Sequence, residues 1–372
     1  MDLNYFVDEE KITRCAKCLY PHTKPDLFFN EQGICSACIA YEMRKKTDWL
    51  SRQSDLEAIL ESGKNDSGFD CIVPSSGGKD STWQVLRLLE LGAKPLVVTA
   101  TTCHLTAIGR RNIDNLARFA TTIEVAPNKE IRRKLNRLGL ELVGDISWPE
   151  HVAIFTTPFQ IAANFGIPLI FYGECPQNQY GGPPGTTEAK EMTRRWVSEF
   201  GGFNGLRPSD MVGKNGIEKA DMRDYAAPSV DKLKDVRAYF LGHFYEWDSR
   251  KNASMAEAAG LVKSLPCKSS VWDFENLDNA QTGFHDWFCY LKYGYGRACA
   301  QLSVDIRTGL VSREEGLAAV EEKDGHCPDI YMGVGKEEML LAIGIKHPRQ
   351  LADIVYRFAN KDLFTECRFA AA

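Results

Sequence analysis

Residues 69–91 read FDCIVPSSGGKDSTWQVLRLLEL, and the order strand, glycine turn, helix within this stretch decides the fold. The segment 69–74 is short and largely apolar, which predicts a buried strand. Apolar residues at helical spacing predict a helix over 81–91, which Gly92 ends in the position that glycine favours. The turn between them therefore joins the carboxyl end of a strand to the start of a helix.

The same alternation continues along the chain. We predict further strands over 95–100, 122–126, 168–172 and 236–244, and helices over 112–120 and 151–165. Strand and helix in this order indicate an α/β fold with a parallel, twisted sheet and right-handed crossovers.

Two regions depart from this alternation. Residues 181–235 contain GGPPG, GGFNG and many charges, which predicts a loop-rich insertion with one helix near 188–200. The C-terminal part is mostly helical, with helices expected over 254–262, 284–302, 336–343 and 348–358. We expect three domains: an N-terminal knuckle with a short helix over 1–50, an α/β domain over 51–250 that includes the insertion, and a helical region over 251–372.

The turn itself has the composition of a phosphate-binding loop. Two adjacent glycines permit close approach of the backbone, and the following helix offers free N–H groups and the positive end of its dipole. Serine hydroxyls and a lysine add donors and charge, and the aspartate is expected to hold Mg²⁺. The residues predicted to bind the phosphates are Ser76, Gly77, Gly78, Lys79, Asp80 and Ser81, with Lys79, Asp80 and Ser81 as the predicted catalytic residues.

The loop lacks the spacing of a Walker A motif. It resembles instead the Ser-Gly-Gly-x-Asp-Ser loop of the N-type ATP pyrophosphatases, the PP-loop superfamily, whose sheet is HUP-like. GMP synthetase, argininosuccinate synthetase and the tRNA-thiolating enzymes are members. The resemblance implies that ATP is cleaved between the α and β phosphates and that AMP passes to a substrate oxygen.

In this superfamily the ends of neighbouring strands complete the nucleotide site, at the carboxyl edge of the sheet. By position, we expect one group of residues near adenosine and a second group near the phosphates or the second substrate. The first group is Ala100, Thr101 and Thr102, and the second is Gly173, Glu174, Gln177 and Asn178.

Two Cys-x-x-Cys pairs lie near the N-terminus, Cys15 with Cys18 and Cys35 with Cys38. Paired spacing of this kind in a chain without a secretion signal predicts a metal site rather than disulfides. Four thiolates suit one tetrahedral Zn²⁺ with no open position for water, so we expect a structural zinc in a zinc-ribbon-like knuckle. An iron–sulfur cluster and free redox cysteines are the alternatives.

Two further stretches of sequence indicate a particular family within this superfamily. Residues 172–182 read YGECPQNQYGG, and residues 290–297 read YLKYGYGR, followed by SVDIRTG at 303–309 and SREEG at 312–316. Together with the knuckle, they resemble the N-acetyl sugar amidotransferases of the WbpG/PseA type, which act in lipopolysaccharide O-antigen or pseudaminic-acid biosynthesis. The resemblance implies an AMP-forming ligase that replaces an acetamido oxygen by nitrogen. Its substrate is then an N-acetyl sugar or a nucleotide-linked sugar.

The nitrogen donor is expected to come from outside the chain. A built-in glutaminase needs an activated cysteine with a histidine base, and none of the twelve cysteines lies in a Gly-x-Cys-x-Gly elbow or directly after Met1. The resemblance implies a HisH-like glutaminase and a HisF-like partner that helps to deliver ammonia.

Basic side chains of the C-terminal region are candidates for substrate binding. Four of them lie among aromatic residues and glycines: Lys292, Arg297, Arg307 and Arg313. They could clamp an acidic sugar, a diphosphate or ATP, or lie on a solvated helix face. Among the histidines, His104, His151, His243 and His285 could act as bases, but isolated histidines commonly have structural roles and we assign none.

Composition and charge restrict the expected partners and location of the protein. The chain of 372 residues has 44% hydrophobic and 26% charged residues and a net charge of −5, which counts against nucleic acid as a partner. Its N-terminus is acidic without an apolar core, and its most apolar stretch, 167–172, is too short to cross a bilayer. We expect a cytoplasmic protein that is not embedded in a membrane. A tRNA-thiolating or lysidine-type enzyme, with Cys103 or Cys175 as a reactive thiol, is the alternative function.

Overall fold

A five-stranded parallel sheet forms the centre of the fold. The computed structural model describes residues 5–183, 185–186 and 188–364. Neighbouring strands pair in parallel throughout the sheet, in the order β3-β2-β1-β4-β5. The strands are β1 (Cys71–Pro74), β2 (Pro95–Ala100), β3 (Thr122–Val125), β4 (Leu169–Tyr172) and β5 (Arg237–Phe240). The predicted α/β fold with a parallel sheet is confirmed.

Helices cover the sheet and build the regions before and after it. The N-terminal part and the sheet region contain α1 (Ser36–Arg44), α2 (Trp49–Ser62), α3 (Lys79–Glu90), α4 (Ala107–Leu116), α5 (Lys129–Val143), α6 (Trp148–Phe165), α7 (Pro176–Tyr180), α8 (Arg194–Phe200) and α9 (Ser249–Ala258). The C-terminal part contains α10 (Thr282–Tyr293), α11 (Arg297–Arg307), α12 (Arg313–Lys323), the hairpin of β6 (Ile330–Tyr331) and β7 (Val334–Gly335), α13 (Lys336–Ala342) and α14 (Pro348–Phe358).

Both faces of the sheet are buried at its inner strands, because alternate residues of β1, β2 and β4 enter different cores. Val73 of β1 packs with Leu56 of α2 and Leu88 of α3 on one face. Ile72 packs with Ala162 of α6 on the other face. Burial on both sides explains why these inner strands are largely apolar, whereas the edge strand β3 includes an exposed glutamate.

The order of the strands reverses direction at the centre of the sheet. The chain runs from β1 outward to β2 and β3, and then returns to the other side of β1 with β4 and β5. In open α/β sheets the crevice at the carboxyl ends of the strands flanking such a reversal is the usual place for a ligand. The loops after β1 and β4 therefore flank the expected binding crevice.

The N-terminal knuckle packs against the C-terminal region. Its four cysteines share a core with Ala298 and Leu302 of α11 and Val320 of α12. The Leu19 N–H donates to Ser303 Oγ at 3.3 Å, and Cys299 Sγ donates to the Leu19 carbonyl at 3.5 Å. The knuckle is thus joined to the C-terminal helices although about 280 residues of chain separate them.

Several elements differ from the prediction. Residues 284–302 do not form one helix, because the chain turns at Gly294, which adopts a φ of +72°, and restarts at Arg297. The long helix α5 was not predicted, and the strand predicted over 236–244 ends at Phe240 in a 3-10 turn. The insertion contains α8 and 3-10 turns, in agreement with its loop-rich sequence. Within the part described, no helix is long and apolar enough to cross a membrane.

Candidate active site

The loop after β1 is held in shape by its own serines. The Gly77 N–H donates to Ser75 Oγ at 2.9 Å, and Ser75 Oγ donates to Ser81 Oγ at 2.8 Å. Gly77 has a φ of +82°, and a Cβ there would lie 2.6 Å from the backbone nitrogen of Ile113. The loop therefore requires glycine at this position both for its backbone angle and for its packing against α4.

The start of α3 is arranged to receive an anion. Gly78 is the N-cap residue and provides no side-chain cap, so that the first N–H groups of the helix keep their donor capacity. A Cβ on Gly78 would meet the protein only at Ser76 Oγ, 3.4 Å away. Space is thus open directly in front of the helix N-terminus.

Lys79 lies between two carboxylates beside this opening. Its Nζ is 2.6 Å from Asp80 Oδ2 and 3.1 Å from Glu275 Oε1, and its side chain is almost fully buried. Burial alone would lower the pKa of Lys79, but the charges of Asp80 and Glu275 raise it above its ordinary value. Lys79 is therefore a fixed positive charge at neutral pH.

Acidic groups gather around the same point. Glu174, at the end of β4, has its pKa raised to about 7 by burial and by the charge of Asp80. The other Asp80 oxygen, Oδ1, accepts from Asn252 Nδ2 at 3.1 Å, and Glu275 Oε2 accepts from Gln301 Nε2 at 3.0 Å. Three carboxyl groups against one lysine leave an excess of negative charge, which a divalent cation would neutralise.

One cavity of about 520 Å³ connects these groups, a volume in the usual range for small-molecule sites. Its walls come from the loop after β1, the ends of β2 and β4, helix α6 and the segment 274–279. Buried oxygens of Gln84, Thr99 and Thr101 in the wall have no hydrogen-bond partner among the described residues, so they keep acceptor or donor capacity for a ligand. The predicted residues that line the cavity are Ser76, Gly77, Gly78, Lys79, Asp80, Ser81, Ala100, Thr101, Thr102, Gly173, Glu174 and Arg297.

Two predicted residues next to Glu174 lie elsewhere. Gln177 and Asn178 belong to α7 and are not among the described residues that line the cavity. The Gln177 carboxamide oxygen accepts from Trp196 Nε1 at 3.1 Å and joins α7 to the insertion. From the same short helix Tyr180, which was not predicted, lines the cavity.

The segment 274–279 closes the cavity from the C-terminal side. It is held to the loop after β2, since the Thr106 N–H donates to the Asp278 carbonyl at 2.9 Å and Thr106 Oγ1 donates to the Leu277 carbonyl. A Cβ at Gly109 would lie 2.5 Å from the Asp278 Cα, so α4 and this segment are in close contact. The C-terminal region therefore contributes directly to the cavity wall.

Arg297, the first residue of α11, is fixed by a bidentate ion pair. Its Nη2 and Nε lie 2.7 and 3.1 Å from the two carboxylate oxygens of Asp286. A paired arginine held in this way keeps its charge and its orientation at the cavity wall.

The C-terminal wall of the cavity falls within a region that matches a known family. Residues 268–370 match the family model of the LPS biosynthesis protein WbpG-like C-terminal domain. We refer to residues 268–370 as the WbpG-like domain because of this similarity. The match confirms the predicted resemblance to the WbpG type. A comparison with curated proteins found no relative.

The WbpG-like domain supplies Glu275, Asp278, His285 and Arg297 to the cavity. The family is one of lipopolysaccharide biosynthesis proteins, which supports a biosynthetic enzyme and a role in that process. The domain is thus part of the site and not a separate appendage.

The structure does not bring the four predicted basic residues together. Arg297 and Arg307 lie at opposite ends of α11, about 15 Å apart at 1.5 Å per residue. Arg307 lines a second cavity of about 810 Å³, Arg313 donates to the carbonyls of Cys15 and Cys18, and Lys292 Nζ donates to the Val143 carbonyl. Of the four, Arg297 is among the described residues that line the cavity containing the loop, and the other three are not.

The cysteine knuckle has the geometry of a tetrahedral metal site. Cys15, Cys18, Cys35 and Cys38 are all buried, and their sulfur atoms lie within 4.8 Å of one another. The Sγ atoms of Cys18 and Cys35 are 3.6 Å apart and those of Cys15 and Cys38 are 3.9 Å apart. Sulfurs at 2.3 Å from a tetrahedral zinc would be about 3.8 Å apart, so the donor set fits Zn²⁺.

Some residues of the site could not be found from the sequence. Glu275 contacts Lys79 across 196 positions of the chain, and neither hydrophobic periodicity nor a short motif marks it. His151 and His285 were considered as bases and left unassigned, because the sequence does not show that Asp145 lies between them. Long-range pairing of this kind follows only from the fold.

Proposed function

We propose that this protein is an ATP-dependent, AMP-forming amidotransferase that converts the acetamido group of an N-acetyl sugar into an acetamidino group. The observation that carries the proposal is the single cavity shared by the Ser-Gly-Gly-Lys-Asp-Ser loop and the WbpG-like domain. The loop has the helix N-terminus and the lysine charge that bind a triphosphate, and the matched family is one of lipopolysaccharide biosynthesis proteins. We also propose that the chain belongs to the PP-loop ATP pyrophosphatase superfamily, whose Ser-Gly-Gly-x-Asp-Ser loop it resembles.

The loop would bind the pyrophosphate part of ATP. The N–H groups at Gly78 and at the start of α3 would donate to the phosphates, and Lys79 would add its positive charge there. Asp80, with Glu174 beside it, is the group suited to hold Mg²⁺, which supplies charge neutralisation for the departing pyrophosphate. Ala100, Thr101 and Thr102, at the end of β2, would lie along the adenosine.

The sugar would occupy the part of the cavity lined by the WbpG-like domain. An acetamido oxygen is a poor leaving group, so transfer of AMP to this oxygen prepares it for replacement. Arg297 and Glu275 are placed to orient a polar acceptor, since both are partly buried and fixed by ion pairs. The nitrogen then attacks the activated carbon, and AMP departs with the former acetamido oxygen.

Ammonia would come from a separate HisH-like glutaminase, with a HisF-like partner that delivers it. No cysteine is among the described residues that line the cavity. Burial raises the pKa of Cys175 to about 11 and also raises that of Cys103, so neither thiol is primed as a nucleophile. This observation supports nitrogen transfer over a thiolating enzyme that uses its own cysteine.

Product analysis tests the proposal. The protein is incubated with ATP, Mg²⁺, ammonium and a panel of UDP- and CMP-linked N-acetyl sugars, and nucleotides and sugars are analysed by mass spectrometry. We expect AMP to form only with a suitable sugar, whose mass falls by about 1 Da as oxygen is replaced by NH. Formation of ADP, or turnover that only RNA stimulates, would contradict the proposal.

A further inference from the structure

Three titratable side chains from separate elements meet at the wall of the same cavity. Asp145 lies in the turn between α5 and α6, His151 is on α6, and His285 is on α10 of the WbpG-like domain. His285 Nδ1 lies 2.8 Å from Asp145 Oδ1, and His151 Nδ1 lies 3.2 Å from Asp145 Oδ2. The two imidazoles line the cavity, with ring centroids 5.1 Å apart, while Asp145 is buried behind them.

The His285 contact is a hydrogen bond, whereas the His151 contact is at ion-pair distance and His151 Nδ1 has no hydrogen-bond partner among the described residues. Asp145 Oδ1 also accepts from the Ser147 N–H at 2.8 Å, so this oxygen already has two donors. Two ligands about 2.05 Å from a tetrahedral ion would be about 3.3 Å apart, longer than the 2.8 Å between His285 and Asp145. With His285 Nδ1 bonded to Asp145, Nε2 is the nitrogen of this cavity-lining ring that Asp145 leaves for a proton.

The charges around this cluster favour uptake of a proton. Burial would raise the pKa of Asp145, but the two imidazoles hold it well below its ordinary value. Burial would likewise lower the pKa of His151, yet Asp145 and, more weakly, Glu150 raise it. Glu150 is itself paired with Arg132 at 2.8 Å. The pKa of Tyr293 is raised mainly by burial and also by the negative charge of Asp145. A buried carboxylate that has two imidazoles as its ion-pair partners is a proton-accepting arrangement.

The proposed reaction needs such a group. Ammonium has no lone pair, and the nitrogen that adds to the activated carbon must lose protons before the product forms. In a balanced sequence, an imidazole Nε2 takes a proton from ammonium, and the freed lone pair forms the carbon–nitrogen bond. The C–O bond then breaks, its electron pair leaves with AMP, and the second imidazole takes a proton from the added nitrogen. The sugar nitrogen keeps its proton throughout, so the product is the amidinium ion, and both imidazolium ions release their protons to solvent.

We propose that His151 and His285, oriented by Asp145, accept the proton of the nitrogen nucleophile in this cavity. The inference rests on the amidotransferase function proposed above and adds residues to it. It assigns the step after adenylation to the cluster and leaves adenylation itself to the loop at Ser76–Ser81.

Separate measurement of the two half-reactions tests the inference. Sugar-dependent exchange of labelled pyrophosphate into ATP reports adenylation, and AMP formation with ammonium reports the complete reaction. In His151→Gln, His285→Gln and the double variant, we expect exchange to stay within a few-fold of the wild type. AMP formation with ammonium at pH 7 should fall roughly 10²-fold or more in the double variant. His326→Gln, which replaces a partly buried imidazole that is not among the described cavity-lining residues, is the matched control.

A neutral nucleophile and the pH profile give independent readouts. Hydroxylamine carries a lone pair at neutral pH, so the variants should use it at nearly the rate of the wild type. With ammonium, the wild-type rate should level off once His151, whose pKa Asp145 raises against the effect of burial, has lost its proton. The rate of the double variant should continue to rise with the fraction of free ammonia, so that its deficit shrinks at alkaline pH.

The outcomes separate this inference from the proposed function. Absence of sugar-dependent exchange in the wild type would overturn both. Exchange in the wild type together with unchanged ammonium use in the double variant would overturn the inference alone. Equal loss of exchange and of ammonium use would assign the histidines to folding or adenylation instead. Metal analysis that finds a stoichiometric ion, lost in Asp145→Asn and in both histidine variants, would replace the proton acceptor by a metal site.

Discussion

At the scale of single residues, Gly77 carries two separate constraints. Its φ of +82° is strained for any residue with a side chain, and a Cβ would also lie 2.6 Å from the Ile113 backbone nitrogen. Rotation of a side chain cannot relieve the second contact, because both groups are backbone or directly attached to it. The loop must therefore move if this glycine is replaced.

We predict that Gly77→Ala lowers the stability by about 1–3 kcal/mol and the rate of pyrophosphate exchange about 10²-fold. Gly92→Ala is the matched control, since Gly92 has a φ of +74° with nothing within 4 Å of the added Cβ. It should show only the cost of the backbone angle and normal exchange. Urea unfolding and the exchange assay measure both effects, and equal exchange in the two variants would contradict the assigned role of the loop.

Glu275 is a second residue whose effect can be isolated. It joins Lys79 of the loop to Gln301 of α11, and its pKa is lowered because the charges of Lys79 and Arg297 outweigh its burial. We predict that Glu275→Gln lowers the exchange rate at least about tenfold, because Lys79 loses one of two fixed partners and its position. Glu321→Gln, an exposed change on α12, serves as the control. A Glu275→Gln protein with normal exchange would show that Asp80 alone positions Lys79.

At the scale of elements, the break between α10 and α11 determines where Arg297 lies. The sequence predicted a continuous helix over 284–302, in which Arg297 would be an interior residue. Instead, Asp324, just after α12, accepts from the N–H groups of Gly296, Ala298 and Cys299 at 2.8, 3.1 and 3.3 Å. This buried carboxylate fixes the N-terminus of α11 and thereby the position of Arg297 at the cavity wall.

We predict that Asp324→Ala destabilises the protein by about 2–4 kcal/mol, because three buried donors lose their acceptor. Asp324→Asn keeps one oxygen and should cost less. Ser312→Ala removes the exposed cap of α12 and should cost about 1 kcal/mol without an effect on turnover. Denaturant unfolding measures the three changes, and an Asp324→Ala cost no larger than that of Ser312→Ala would disprove the anchoring role.

The elements that the sequence predicted well are those set by local pattern. The strand over 95–100 and the helix over 348–358 match β2 and α14, because a buried apolar run bounded by turns and a strong helical periodicity determine them locally. Helix α5 was missed although it is amphipathic, since its many charges obscured a buried stripe that contains Leu135 and Leu138. The turn at Gly294–Gly296 was missed because its anchor, Asp324, is remote in sequence.

At the scale of the whole molecule, the cavity is a junction of distant segments. The loop after β1 could be predicted because one short motif contains it, and the parallel sheet fixed which strand ends would adjoin it. The wall formed by Glu275, Asp278 and His285 could not be predicted, because its position depends on how the WbpG-like domain packs on α4 and α5. The paired histidines are the clearest case, since each is unremarkable alone and gains a role only through Asp145.

The knuckle should stabilise the cavity indirectly, through its contacts with α11 and α12. Backbone N–H groups of Lys17 and Cys35 donate to Cys15 Sγ at 3.4 and 3.2 Å, an arrangement that stabilises a thiolate bound to a metal. Arg313 of α12 donates to the carbonyls of Cys15 and Cys18, and the Leu19 N–H donates to Ser303 of α11. Loss of the metal would therefore loosen the two helices that place Arg297 and Asp324.

We predict one tightly held zinc ion per chain, lost in Cys35→Ser together with a marked fall in the thermal unfolding midpoint and in turnover. Structural zinc sites can contribute on the order of 10 kcal/mol of apparent folding free energy in small modules, so the effect should be large. Cys103→Ser, which changes a partly exposed thiol outside the knuckle, should keep both zinc and turnover. Elemental analysis and thermal unfolding measure these effects. Iron with visible absorbance in place of zinc would assign a cluster to the same four sulfurs, and unchanged turnover in metal-free protein would show that the knuckle does not support the site.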